Sequence, residues 1–408
     1  MFKNKILIII FLTVFIDLLG IGILIPVIPQ LFANPLSIEY MLPLGTSINQ
    51  GYMLLGLLIA VYPIGQFLAT PILGQLSDKY GRKKILAISL LGTAISYVVF
   101  AFAIITKNIP LLFFSRFFDG ITGGNISIAQ AMIGDVSKPE NRAKNFGMLG
   151  AAFGLGFILG PFIGGKLSDP SVMSWFTAAT PFYFAAILAA INMLSVFFLV
   201  PETNKNLRKE RLTWGKSLSN IKKAMEMKGM STIFLTNFIF FGGFTFFTTF
   251  FGVFLIQKFN FTQGNIGDFF AYVGIWSVFT QAVLTRAFAK RFTESAIIRY
   301  SLIGAGVMIL TYFLPTVSWQ LLLIPPFFSI CTGLTMANMN SLLSKSAPAD
   351  QRGEIMGISS SVQALAQSIP AILSGFIAAS LAPTTPLVIA SILIICSGLA
   401  FRFLYKRA

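Results

Sequence analysis

Long apolar segments separated by short loops run through the sequence, and this alternation limits what the chain can fold into. Of its 408 residues, 55% are hydrophobic and 11% are charged, whereas a soluble domain carries about 25% charged residues. A helix needs about 20 mostly apolar residues to cross the hydrocarbon core of a bilayer. We therefore expect an all-α membrane protein with twelve transmembrane helices. The segments that meet this length are 6–32, 51–73, 85–106, 109–134, 146–167 and 177–200, followed by 231–257, 265–288, 296–315, 318–344, 355–380 and 384–404.

The twelve segments form two sets of six, separated by the longest polar stretch of the sequence. We predict an N-terminal six-helix bundle over 1–200, a basic cytoplasmic linker over 201–230 and a C-terminal six-helix bundle over 231–408. Residues 214–227 of the linker fit either an amphipathic helix on the membrane surface or a solvated tether. Similar residues open the fifth and eleventh segments, which indicates a parallel duplication. They are Pro139, Arg142 and Gly147 in one half and Pro348, Arg352 and Gly357 in the other.

The positive charge of the chain has a clear sidedness. Lysine and arginine number 30 against 14 aspartates and glutamates, which gives a net charge of +16. On a soluble protein this balance would indicate nucleic-acid binding. Here the basic residues concentrate in alternate loops, and with the N-terminus inside the cell the outer loops contain only Lys107, Lys166 and Lys258. The positive-inside rule then places both termini in the cytoplasm, and we expect no nucleic-acid partner.

Several kinds of chemistry lack the residues they need. The sequence contains no histidine, and its two cysteines, Cys331 and Cys396, are far apart. It shows no metal-ligand spacing, no nucleophile–base pair and no nucleotide-binding loop, so we expect neither an enzyme nor a metal or cofactor site. Without histidine, the commonest proton carrier near neutral pH, any proton transfer falls to carboxylates.

The most charged short loop joins the second and third apolar segments. Gly74 and Gly81 permit a tight turn and a close approach of helices. Asp78 can pair with Arg82, and Asp135 at the end of the fourth segment is a second possible partner. The loop is therefore either a latch built from ion pairs or a simple anchor that fixes topology with basic residues.

A single carboxylate lies deep in the first apolar segment. Asp17 follows Ile6 by a helical rise of about 16 Å, which places it near mid-depth of a hydrocarbon core about 30 Å thick. An unpaired charge there is costly, so the side chain should face a partner or a water-filled cavity. Alternation between these surroundings would let it bind and release a proton. The other interpretation is an aspartate with a structural hydrogen bond.

The fourth segment carries two opposite charges on one helical face. Arg116 and Asp119 are three positions apart, so they can pair with each other. Alternatively, Arg116 can hold Asp17 across a cavity. Arginine stays charged and is a poor proton carrier, but it can tune a neighbouring carboxylate. The pair is either part of the proton-coupling site with Asp17 or a self-neutralised ion pair.

The fifth segment is rich in glycine. Gly156, Gly160 and Gly164 form one stripe, which allows very close contact with another helix. Gly165 follows, and Pro161 should kink the helix. Tight helix packing alone accounts for this pattern. A role in antiport is indicated only by the resemblance described below.

The second half offers uncharged polar and aromatic side chains that can line a substrate cavity, and an aromatic wall would suit a flat or apolar compound. Each polar group fits equally well as an interhelical hydrogen bond. The candidates are Asn237, Phe241, Gln281, Asn338 and Gln363.

Four stretches resemble motifs of the major facilitator superfamily of transporters. The charged run 74–84 resembles the signature loop between its second and third helices. Residues 17–29 resemble the first helix of its drug:proton antiporter group, which includes tetracycline and multidrug efflux pumps. The pattern from Arg116 to Gly123 resembles the fourth-helix motif of antiporters, in which the arginine is linked to proton transfer. The stretch 160–165 resembles a motif associated with antiporters rather than with symporters or uniporters.

The resemblance implies a monomeric exporter in a bacterial inner membrane. It would pack two parallel-repeat six-helix bundles that rock between inward-open and outward-open states. It would exchange protons for a small amphipathic or apolar compound, with the proton gradient as its energy source. Acids of the third and ninth helices and a histidine of the tetracycline group are missing here. A sugar or organic-acid symporter or uniporter and a non-transporting receptor are the alternatives.

Overall fold

A computed structural model describes residues 2–43, 45–137, 139–204, 207, 213, 215–227, 229–346 and 352–405, and long helices make up most of them. The first half comprises α1 (Phe2–Phe32), α2 (Ile48–Tyr80), α3 (Arg82–Ile105), α4 (Ile109–Thr122), α5 (Ile126–Val136), α6 (Pro139–Leu167) and α7 (Thr180–Leu199). The linker contributes α8 (Lys216–Glu226). The second half comprises α9 (Ser231–Phe259), α10 (Gln263–Phe279), α11 (Thr285–Ala289), α12 (Glu294–Thr311), α13 (Pro325–Ser346), α14 (Arg352–Ser380) and α15 (Thr385–Leu404).

The described residues include 10 helices that are long and apolar enough to cross a membrane. The two other predicted spans look different. The span predicted at 109–134 is divided into α4 and α5 by a 3₁₀ turn at Gly123–Asn125, where consecutive glycines weaken the α-helix. The span predicted at 146–167 lies within α6, whose side chains are only partly described. The all-helical, membrane-spanning fold class is thus confirmed.

A further departure from a regular α-helix occurs in the middle of a span. The span predicted at 265–288 consists of α10 and α11, joined by a π-helical segment at Thr280–Leu284.

Polar side chains cap several helix starts. Asn108, for example, accepts a hydrogen bond from the Leu111 N–H at 3.0 Å. Such caps satisfy backbone groups that have no partner within the helix.

The first of two compact units contains residues 1–27 and 61–217. In it, α3 packs against α7 and α4. An apolar core joins α1, α3 and α5 through side chains such as Ile10, Leu86 and Met132. This packing places the charged ends of α2, α3 and α5 close together.

The second unit contains residues 28–60 and 218–408, so it includes the ends of α1 and α2 that meet at the loop between them. In it, α15 packs against α9 and α12, and α9 also packs against α14. Gly56 of α2 lies against Gly375 of α14, so closely that an added Cβ at Gly56 would be 2.8 Å from the Gly375 Cα. Gln257 donates a hydrogen bond of 2.5 Å to the Tyr52 hydroxyl.

Parts of the predicted linker lie outside the described residues, namely 205, 206, 208–212, 214 and 228. The same holds for Pro348 and for the side chains of Arg142 and Arg352, which belong to the predicted duplication. Within the linker, the helical alternative for 214–227 corresponds to α8. The predicted boundaries of the two bundles stay a prediction.

Candidate functional site: two clusters of paired charges

The charged turn between α2 and α3 brings the predicted latch residues together. Gly81 adopts a φ of 99°, a left-handed conformation that favours glycine. At the next residue, an Arg82 guanidinium nitrogen lies 3.2 Å from an Asp78 oxygen. The Arg82 Nε lies 2.5 Å from the Asp135 Oδ2. Gly74 is different, because it lies within α2 and an added Cβ would make only an ordinary 3.8 Å contact with Ser127.

The second charged cluster lies inside the first unit, among the membrane spans. Arg116 and Asp119 are 5% and 3% exposed, and an Arg116 guanidinium nitrogen donates to the Asp119 Oδ2 at 2.6 Å. The centre of the guanidinium also lies 4.2 Å from the centroid of the Tyr62 ring, within cation–π range. Of the two partners considered for Arg116, the structure pairs it with Asp119.

Asp17 has no such partner. It is 2% exposed, and neither carboxylate oxygen makes a hydrogen bond with any residue that the structure describes. The side-chain amide that faces it belongs to Asn125, in the 3₁₀ turn between α4 and α5. Asn125 is fully buried, and among the described residues its amide nitrogen and oxygen also make no hydrogen bond. Two polar groups therefore face each other without being committed to other partners.

Two tyrosines complete this cluster, and the sequence interpretation missed both. Tyr97 packs against Gly20 of α1, where an added Cβ would lie 1.6 Å from the Tyr97 hydroxyl oxygen. Tyr62 packs against Gly123 in the same way, at 2.4 Å. The space beside Tyr97 and Arg116 has no volume for a water molecule. Arg116 and Asp119 are buried, and low-dielectric surroundings strengthen the electrostatic interaction between them.

The glycine stripe of α6 packs directly on α1, immediately after Asp17 in the chain. An added Cβ at Gly156 would lie 2.5 Å from the Leu18 Cβ. At Gly160 it would lie 2.7 Å from the Gly22 Cα, and at Gly164 it would lie 2.7 Å from the Ile23 carbonyl oxygen. Next to the stripe, Pro161 and Gly165 are buried. The stripe therefore brings the backbones of α1 and α6 together beside the proposed proton site.

The predicted cavity residues of the second half lie on different elements. Asn237 of α9 is buried and donates to the Ser359 hydroxyl at 3.3 Å. Asn338 of α13 donates to the Leu334 carbonyl of its own helix at 2.8 Å. Gln281 is exposed in the π-helical segment, whereas Phe241 and Gln363 are half-buried. Two of the five thus use their amides within the protein, and Gln281 is the most accessible.

Helices of membrane-spanning length, a charged turn at their ends and a buried ion pair among them indicate a multi-pass membrane protein, and charged groups inside such a protein are typical of membrane transport proteins. The family model of the Major Facilitator Superfamily matches residues 10–371. The chain belongs to this superfamily of transporters.

Individual relatives agree with this assignment. The class H tetracycline resistance protein of Pasteurella multocida is 30% identical over 386 residues, which cover 92% of this chain and 89% of that protein. Multidrug resistance protein 1 of Bacillus subtilis is 32% identical over 74% of this chain and 71% of its own length. Among solved structures, the human organic anion transporter MFSD10 superposes with a TM-score of 0.73 at 22% identity, covering 98% of this chain and 99% of that one.

Proposed function

We propose that this protein exports a small amphipathic or apolar compound in exchange for protons. The observation that carries the proposal is the buried carboxylate of Asp17, which has no hydrogen-bond partner among the described residues. An ionised carboxylate is costly to bury in this way. Asp17 would therefore take up a proton where it is enclosed and give it up where water reaches it. Support for export comes from relatives that are named for resistance to tetracycline and to multiple drugs.

Arg116 and Asp119 would tune this step without carrying the proton. Their 2.6 Å ion pair leaves no net charge on α4, and the Tyr62 ring covers the guanidinium. Asp17 is then the acid whose charge is not already neutralised. Rocking of the two halves would alternately enclose and hydrate it.

The pairs around Arg82 would act as the cytoplasmic latch. Arg82 contacts two carboxylates at the turn between α2 and α3, so closure and opening on that side would make and break charge-assisted bonds. In this arrangement both termini would be cytoplasmic, in line with the positive-inside rule. The protein would work as a monomer in a bacterial inner membrane, without a cofactor.

The compound itself would bind among polar and aromatic side chains of the second half. Gln281 is exposed and Phe241 and Gln363 are half-buried, so the protein does not enclose these three side chains, and a phenyl ring suits a flat or apolar ligand. The tetracycline group's acids in the third and ninth helices and its histidine are missing here, so the proposed substrate class is wider than tetracyclines. The membrane potential would add about 2.3 kcal/mol per exchanged charge per 100 mV.

The test uses purified protein in liposomes with an imposed pH gradient. Addition of a transported compound should collapse the gradient, with protons moving against the direction of the compound. Asp17→Asn should abolish the response, while Glu226→Gln, an exposed carboxylate of α8, should leave it intact. Protons that move in the same direction as the compound would favour a symporter, and a flux that is independent of the gradient would favour a uniporter.

A further inference from the structure

The start of α3 carries an unusual arrangement of charge. Arg82, Lys83 and Lys84 form its first turn, which contains no acidic residue. The N-terminus of a helix is the positive end of its dipole, so cations are unfavourable there. The N-cap position is Gly81, which has no side chain to accept the free backbone N–H groups. Something else must stabilise this helix end.

Glu202 supplies the missing acceptor from a distant part of the chain. One carboxylate oxygen accepts the Arg82 backbone N–H at 3.0 Å, and the other accepts the Lys83 backbone N–H at 3.2 Å. Hydrogen bonds from backbone N–H groups to a carboxylate are charge-assisted and strong. Gly81 is needed for the approach, because a Cβ there would lie 2.4 Å from a Glu202 oxygen.

The two residues that follow Glu202 contact the rest of the latch. The Thr203 hydroxyl donates to the Asp135 Oδ2 at 3.0 Å, the same oxygen that contacts the Arg82 Nε. The Asn204 amide donates to the Asp78 backbone carbonyl at 3.2 Å, and the Asn204 backbone N–H donates to Glu202 at 2.9 Å. Three consecutive residues at the start of the linker thus touch all three ion-paired residues of the latch.

We propose that Glu202 is a positioning residue for the latch: it fixes the backbone of Arg82 so that the guanidinium reaches Asp78 and Asp135. This inference rests on the latch function proposed above. Since Glu202 opens the linker that leads to the second half of the chain, it also ties the linker to the latch. A helix cap with no further role is the competing explanation.

A double-mutant cycle in liposomes separates the two explanations. Glu202→Gln keeps the size of the side chain and removes its charge, and we expect its maximal transport rate to fall about tenfold with KM within about twofold, because the intramembrane site is untouched. Arg82→Ala should lower the rate at least as much. The double variant should be no slower than Arg82→Ala, because Glu202 acts through Arg82. Multiplied losses, accompanied by a lower thermal unfolding temperature for Glu202→Gln, would overturn the proposal.

Hydrogen–deuterium exchange gives a readout that does not need transport. In Glu202→Gln the amides of Arg82 and Lys83 should exchange faster, while Glu226→Gln serves as the matched control and leaves them unchanged. Unchanged exchange in Glu202→Gln would overturn the proposal. If the unaltered protein moves no protons with any compound, the proposed function fails, whereas faster exchange in Glu202→Gln would still show that Glu202 holds the backbone at the start of α3. The double-mutant cycle then separates positioning of Arg82 from a cap with no further role.

Discussion

The two charged clusters use the same residue types in opposite ways. At the turn between α2 and α3, one arginine meets two aspartates, and these side chains stay partly exposed. Within the membrane, Arg116 meets Asp119 alone and both are buried, while Asp17 has no hydrogen-bond partner among the described residues. Because Arg82 has two carboxylate partners, the cluster at the turn keeps one ion pair when the other is lost. In the buried cluster two acids share one arginine, so Asp17 is left to change its protonation state.

The largest expected effect follows from breaking the buried pair. Arg116→Gln would leave the Asp119 carboxylate buried without its countercharge, and such changes typically cost about 3–5 kcal/mol of stability. Thermal unfolding in detergent should show a clearly lower midpoint. The double variant Arg116→Gln with Asp119→Asn should recover most of the loss, because it removes both charges. A double variant less stable than the single one would contradict the description of this pair.

The packing beside Asp17 gives the next largest effect. Gly160→Ala would place a Cβ within 2.7 Å of the Gly22 Cα, so α1 and α6 must separate, at a cost of about 1–3 kcal/mol. Gly134→Ala is the control, because an added Cβ there meets nothing within 4 Å. Equal unfolding midpoints for the two variants would show that α6 does not hold α1 tightly.

A smaller effect should follow at the turn. Asp78→Asn leaves Arg82 paired with Asp135, so we expect a loss of about 1 kcal/mol and a modest decrease in transport rate. Asp135→Asn should cost more, because it affects both the Arg82 and the Thr203 contacts. If transport in liposomes falls further in Asp78→Asn than in Asp135→Asn, the latch depends more on Asp78 than on Asp135.

The smallest effect concerns Asn125. Asn125→Ala removes the amide that faces Asp17, so the ionised carboxylate would lose a nearby hydrogen-bond donor, and coupled proton flux should fall about fivefold. Asn192→Ala is a matched control, since Asn192 is also buried and bonds Thr13 of α1 at 2.9 Å. Equal effects on flux would mean that Asn125 has no special relation to Asp17.

The sequence predicted the parts of this protein that depend on local pattern. Apolar length predicted the spans, and the spacing of three between Arg116 and Asp119 offered their pairing as one of two alternatives, the one that the structure contains. The 3₁₀ turn at Gly123–Asn125 was missed, although consecutive glycines are a visible signal of a weak helix. The π-helical segment at Thr280–Leu284 leaves no comparable signal.

Contacts between distant parts of the chain could not be predicted from the sequence. The Tyr62 ring that covers Arg116 comes from another helix, and a buried tyrosine in an apolar segment looks like any packing residue. Glu202 reaches the start of α3 across 120 residues of chain. An acid near the start of the basic linker was the available clue, but its partner depends on how the helices pack.

The central claim is that Asp17 carries the exchanged proton, and proton release on substrate binding tests it most directly. Purified protein in weakly buffered detergent solution is mixed with a transported compound, and the pH change and binding are recorded together. The unaltered protein should release protons as the compound binds, whereas Asp17→Asn should bind the compound and release none. Release by Asp17→Asn equal to that of the unaltered protein would contradict the account.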